Sequence, residues 1–261
     1  MPEPLVQIEI LDAAAILTMN RPEKHNALSR GLLIALTQAL DDLHGERDVR
    51  AVVLTAGGST FCSGLDLAEI HAGDQADDAP QVRHRDAQAL GDLLEKMLRF
   101  PKALIAAVDG PAMGAGAALA LACDMVVASE SASVSFPEPR RGLVGAVVAP
   151  LLVFRAGAGP AGYLLLSGRL VDAATAARWG LFHEVVPSGR PLDRAQALAA
   201  DVAQGAPEAI QLTKRMLNET IGEHLSTLFC AGAAASATAR TTEAATEGLS
   251  AFLEKRNPHW P

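Results

Sequence analysis

Two hydrophobic periods alternate along the first two-thirds of this chain. Residues 6–10 alternate apolar and polar side chains, and residues 14–19 form a second short apolar run, with Asp12 and Ala13 between them. That pattern predicts a β-hairpin. Leu28, Leu32, Leu36, Leu40 and Leu43 then recur at helical spacing, which predicts an amphipathic helix over residues 29–44. Residues 51–55 (AVVLT) and 103–108 (ALIAAV) are unbroken apolar runs, the signature of strands covered on both faces. A second amphipathic helix is predicted over 86–99, a small-residue helix over 114–123, and strands at 125–128 and 133–136. Each strand-to-helix turn carries glycine. Residues 74–80 (DQADDAP) are acidic, small and turn-forming, and predict a mobile loop. Beyond Ala173 the pattern is mainly helical, over 194–204, 207–221 and 242–255, with the Ala-rich stretch 231–239 read as a tightly packed helix. The order predicts an α/β core, residues 1–195, followed by a C-terminal helical module, residues 196–261.

Composition narrows the class of function. The 261 residues are 49% hydrophobic and 20% charged, which excludes disorder over most of the chain. A net charge of −8 argues against a nucleic-acid partner held by phosphate neutralisation. Uncharged runs are too short to cross a bilayer, and Met1 to Ile10 has no basic segment followed by an apolar one. Cys62, Cys123 and Cys230 are sparse and odd in number, so a reducing, cytoplasmic location is expected. No Cys/His spacing suggests a metal.

The motifs of nucleotide-binding P-loops, Rossmann folds, hydrolase elbows and zinc proteases are all missing from the sequence. What stands out is a pair of glycine-bearing strand-to-helix turns, Phe61 to Leu67 (FCSGLDL) and Met113 to Ala117 (MGAGA). The first amides of a helix have no carbonyl partner within it, and the helix dipole adds to their pull on an anion. Two such turns facing one point would build an oxyanion hole from backbone alone. Tight packing is the competing explanation for the same glycines. Cys62, inside the first turn, reads as packing because no histidine lies near it in sequence.

Residues 20–28 (NRPEKHNAL), 51–67 (AVVLTAGGSTFCSGLDL), 103–124 (ALIAAVDGPAMGAGAALALACD) and 133–138 (SVSFPE) occur in an order and spacing that resembles the enoyl-CoA hydratase/isomerase, or crotonase, superfamily. The resemblance runs from about Val6 to the AFLEKR segment near the C-terminus. It implies a crotonase-like (ClpP/crotonase) spiral of repeated ββα units, with C-terminal helices that assemble a homotrimer or a dimer of trimers. It also implies an acyl-CoA ligand and no separate cofactor, since coenzyme A is part of the substrate.

By motif position, the resemblance makes the amides of Leu65 and Ala115 the oxyanion hole, flanked by Gly64 and Gly114, and Glu138 the acid/base. Asp66 would fix the turn and the helix start, beside Leu67. Lys24, His25 and Ala27 would pass along the CoA, with Phe252 and Lys255 approaching it from the C-terminal end. Ala118 departs from the pattern, because hydratases of the superfamily commonly carry a second glutamate there. One carboxylate suffices to move a proton between carbons, so isomerisation of a 3-enoyl to a 2-enoyl thioester stays open beside hydration. Thioester hydrolysis and simple thioester binding also remain open. Glu69, His71 and Asp74 are candidate substitute acids that read first as solvated surface residues.

Overall fold

In the computed structural model, which describes residues 3–222 and 224–260, the predicted hairpin is β1 (Val6–Leu11) against β2 (Ala14–Met19), antiparallel around a left-handed Asp12. A largely parallel six-stranded sheet grows from it in the order β1-β2-β3-β4-β6-β9, where β3 is Ala51–Ala56, β4 Ala103–Val108, β6 Met125–Ser129 and β9 Glu184–Val186. A second sheet joins β5 (Pro111–Met113), β7 (Ser133–Ser135) and β8 (Val171–Asp172).

The unbroken apolar runs have the physical basis the sequence suggests. Val52, Leu54, Leu104, Ala106 and Val108 face the main core, while Ala51, Val53, Ala103, Ile105 and Ala107 face the other side, against α8 (Pro191–Ala203). Ala195 and Ala199 of α8 lie flat on those strand alanines. Small residues on both partners let helix and sheet approach closely. Helix α8 therefore runs across position 195 as one element packed on the sheet.

The main core holds α1 (Arg30–Gly45), capped by the Ser29 side chain on the Leu32 amide, and α4 (Ala115–Ala122), every residue of which is buried. Between them in sequence lie α2 (Leu67–Asp74) and α3 (Ala79–Arg99). The expected mobile loop is thus reduced to a turn at 75–78. Its acidic character misled the sequence reading, because Asp74 is engaged in ion pairs with Arg83 at 2.9 Å and Arg240 at 2.7 Å, and Pro80 opens α3. Long-range partners and a helix-starting proline override the local loop signal.

Two helices absent from the sequence reading, α5 (Ala149–Ala156) and α6 (Ala158–Ser167), lie between β7 and β8, and α7 (Ala173–Arg178) follows β8. The C-terminal part holds α9 (Pro207–Arg215), which continues as a wider turn over Met216–Ile221, then α10 (Leu225–Ala239) on α3, and α11 (Glu243–Leu253). Helix α11 rests on the turn Glu138–Arg141, where Gly248 sits against the Arg141 backbone too closely for any side chain. No helix among the described residues is long and apolar enough to cross a membrane.

Candidate active site

Two turns and one loop converge at a single point. The first turn is held by parallel bridge hydrogen bonds, Leu28 N–H to Gly64 O (2.7 Å) and Asp66 N–H to Leu28 O (3.0 Å). Strand geometry sends the Leu65 N–H to the opposite side, and it has no backbone acceptor among the described residues. The second turn opens α4, and the Ala115 N–H likewise has no backbone acceptor among them. Gly64 has φ of +96°, and a Cβ there would stand 3.0 Å from Met113 O and 3.7 Å from Ala115 N. A side chain at 64 would push the two turns apart, and only glycine adopts this backbone freely.

Asp66 locks the first turn. Its carboxylate caps α2 by accepting from the amides of Ala68 and Glu69, and it pairs with Arg21 at 2.7 Å. The Arg21 bond and the two amides hold its carboxyl below the usual range against the opposing effect of burial. The loop carrying Lys24, His25 and Ala27 lies alongside, with His25 O accepting from the Ser63 amide at 3.0 Å. Fully buried Asn26 ties the two together by donating to Gly57 O (2.9 Å) and Thr60 O (2.8 Å) while accepting from Arg21 N–H. Sequence reading passed over Asn26; the signal the sequence offered is an asparagine, a residue that tolerates left-handed turns, just ahead of the apolar helix start, and here both His25 and Asn26 are left-handed.

Glu138 arrives by way of the second sheet. Met113 pairs with Ser135, and Gly114 N–H donates to Ser135 O at 2.8 Å, so the chain three residues on from Ser135 turns back over Gly114. The Glu138 carboxyl is buried, and its Oε2 has no hydrogen-bond partner among the described residues. Burial pushes its pKa up to about 7, against a backbone hydrogen bond that acts to lower it. A carboxyl held near neutrality is the form suited to both taking and returning a proton.

Two cavities meet where these groups stand, sharing Leu65, Ala115, Glu138 and Leu143 in their walls. The outer one, about 400 Å³, is open to solvent. Lys24, His25 and Ala27 line one side of it, Gly64 to Leu67 and Gly114 another, and Phe252 a third. Arg141, which sequence reading did not assign, lines it too, with its guanidinium 4.5 Å from the centre of the Phe252 ring. Lys255 lies outside both cavities, in a left-handed conformation just past α11. The inner cavity, about 60 Å³, is walled mainly by Ile70, Ala87, Leu90, Val144, Val147 and Val148.

Ala118 is buried one helical turn beyond Ala115 and lines neither cavity. The candidate substitute acids do not replace it. Glu69, His71 and Asp74 are absent from both cavity walls; Glu69 accepts from the Arg30 amide, and Asp74 is a largely shielded ion-pair partner of Arg240 rather than a free surface acid. The Cys62 thiol, which donates to Asn26 O, is fully buried and pushed up to about 12 by that burial, a packing group rather than a nucleophile.

The family model for enoyl-CoA hydratase/isomerase matches residues 9–261. The chain belongs to that family. A Thermus thermophilus protein carrying the name of an enoyl-CoA hydratase is 41% identical over 256 residues, covering 98% of this chain and 100% of its own. The 2,3-dehydroadipyl-CoA hydratase of Escherichia coli is 36% identical, with 93% of each chain covered. A crystal structure of an enoyl-CoA hydratase from Mycobacterium avium superposes with a TM-score of 0.88 at 30% identity over 100% of both chains. The mixed α/β architecture is therefore that of the crotonase superfamily, and the protein is an enzyme of the hydratase/isomerase family.

Proposed function

We propose that this enzyme acts on an enoyl-CoA thioester through an enolate held by the Leu65 and Ala115 amides, with Glu138 as its one acid/base. The observation that carries this reading is the isolation of Glu138. Among the described residues it is the one carboxyl shared by both cavities, and the others in their walls are engaged or peripheral: Asp66 with Arg21, Asp86 with Arg30, and Glu23 at the exposed rim. The CoA would lie in the outer cavity, its negative charge met locally by Lys24 and Arg141 despite the overall charge of −8. The acyl tail would enter the inner cavity.

A single carboxyl favours proton movement between carbons. Glu138 as carboxylate takes a proton from Cα of a 3-enoyl thioester. The electrons pass into the thioester oxygen between the two amides, and the same carboxyl returns the proton at Cγ to give the 2-enoyl product. Hydration of a 2-enoyl thioester by Glu138 alone is the second reading, supported by the hydratase names of the relatives. Here Glu138 would take a proton from water as it adds at Cβ, and return it at Cα. Hydrolysis or mere thioester binding has no feature of its own in its favour. A trimeric or hexameric assembly is in keeping with the apolar side chains of Tyr163, Leu166 and Leu170 left exposed. A cytoplasmic location accords with three unpaired cysteines.

Incubation with 2-enoyl-CoA and 3-enoyl-CoA, following hydration, double-bond migration and free CoA together, tests the proposal. Migration exceeding hydration is expected. CoA release as the main reaction, or tight binding without turnover, contradicts it.

A further inference from the structure

Part of the lining of the inner cavity is polar. Ser236 and Arg240 stand there one helical turn apart, at the C-terminal end of α10, with Asp86 of α3 beside them. Arg240 is 6% exposed and sits at the centre of a charge network. Its Nε and Nη2 donate to Asp74, Nη2 also donates to Ile70 O, and Nη1 donates to Asp86 at 3.2 Å. Asp86 is itself clasped in a two-pronged pair with Arg30, and Asp74 accepts from Arg83. Of the five guanidinium hydrogens, one on Nη1 has no acceptor among the described residues. The Ser236 hydroxyl donates to Val144 O at 3.2 Å, which leaves its own oxygen free to accept.

Besides the charge-paired Asp86 carboxylate, these residues offer one donor and one hydroxyl acceptor to a cavity of about 60 Å³ whose remaining lining, Glu138 apart, is mainly apolar, room for a tail of only a few heavy atoms. An alkyl tail ending there would bury the uncommitted Arg240 N–H without a partner, a costly arrangement. A carboxylate fares no better. Arg30, Arg83 and Arg240 are already opposed by Asp74, Asp86 and the Glu69 carboxylate on the Arg30 amide, so an added negative charge would meet Asp86 with no cation left to balance it. A neutral hydroxyl satisfies both groups, accepting from Arg240 and donating to Ser236.

Resting on the acyl-CoA reading of the site, we propose that Arg240 and Ser236 are specificity-determining residues that select a short acyl chain ending in a hydroxyl group. The test compares 5-hydroxy-3-pentenoyl-CoA with 3-hexenoyl-CoA, in which a methyl group replaces the terminal hydroxyl. Calorimetric Kd and kcat/KM for double-bond migration are measured separately, with 3-hexenedioyl-CoA as the carboxylate-ended probe. The hydroxylated thioester is expected to win over both by about tenfold or more. Ser236→Ala should cut that preference several-fold while leaving thermal stability unchanged. Arg240→Lys, which keeps the charge but loses the planar fork, should abolish it if the variant folds. Equal or better use of the alkyl or carboxylate probe by the unaltered enzyme overturns this inference alone. Failure of every acyl-CoA to bind overturns the reading of the site beneath it.

Discussion

The carboxyl of Glu138 occupies the space that a methyl group on Gly114 would fill: a Cβ built there would lie 2.5 Å from Oε1. With φ of +50° and ψ of −121°, Gly114 also holds a conformation that L-residues rarely adopt. Gly114→Ala is therefore expected to displace the acid/base rather than the CoA. The kcat should fall about 100-fold, the effect of misplacing a reacting group by an ångström or so, while CoA affinity changes only a few-fold. Single-turnover assays and calorimetry separate the two. An unchanged kcat would mean that Glu138 does not act from the position it occupies here.

Burial of Glu138 has a consequence for stability against pH. Its pKa is raised from 4.5 to about 7, so the unfolded chain releases this proton at lower pH than the folded one. Stability is thus lost as pH rises through the window from about 4.5 to 7, reaching about 3 kcal/mol once both states are ionised. Glu138→Gln removes that loss. Denaturant unfolding should show the variant gaining stability relative to the parent between pH 4 and pH 8. A difference independent of pH would refute the raised pKa.

The same shift predicts the pH profile of activity. A base must be ionised to accept a proton, so kcat/KM should rise with pH through an apparent pKa of about 7. A profile flat from pH 5 to 8 would show that another group takes the proton.

Ala118 shares a helix face with Ala115, and side chains on a helix lean toward its N-terminus. A glutamate introduced by Ala118→Glu would lean back toward the point where the cavities meet. It should raise the ratio of hydration to double-bond migration, at a cost in stability from placing a carboxyl in a buried helix. Parallel assays on 2-enoyl-CoA and 3-enoyl-CoA measure the ratio, and circular dichroism reports the fold. A folded variant with an unchanged ratio would mean that the missing carboxylate does not decide between the reactions.

Asp66 holds the first turn by a cap and an ion pair. Asp66→Ala should lower stability by about 1–2 kcal/mol, whereas Asp66→Asn, which keeps a capping oxygen, should recover most of it. Urea unfolding distinguishes them. Equal losses in both variants would assign the effect to the Arg21 pair instead.

Much of this was legible in the sequence because the signals were local. The leucine repeat of α1 with Ser29 before it, the apolar runs of β3 and β4, and the two glycine turns carry their structure in a few consecutive residues. What escaped depends on distant partners. Asp74 reads as solvated until Arg240 reaches it from 166 residues away, and the turn at 75–78 reads as mobile for the same reason. Asp86 gives the pattern of an exposed helix face, yet it lines the inner cavity because α10 covers that face. Leu65, Ala115 and Glu138 were named from motif position; their shared place in the walls of both cavities emerges only when β5 and β7 pair.

The most direct test of the central claim is the turnover of Glu138→Gln on the best enoyl-CoA substrate, measured beside its acyl-CoA affinity. The substitution keeps the shape of the side chain and removes its ability to carry a proton. The account predicts a fall in kcat of about 1,000-fold or more with affinity held within a few-fold. Full turnover by Glu138→Gln would contradict it.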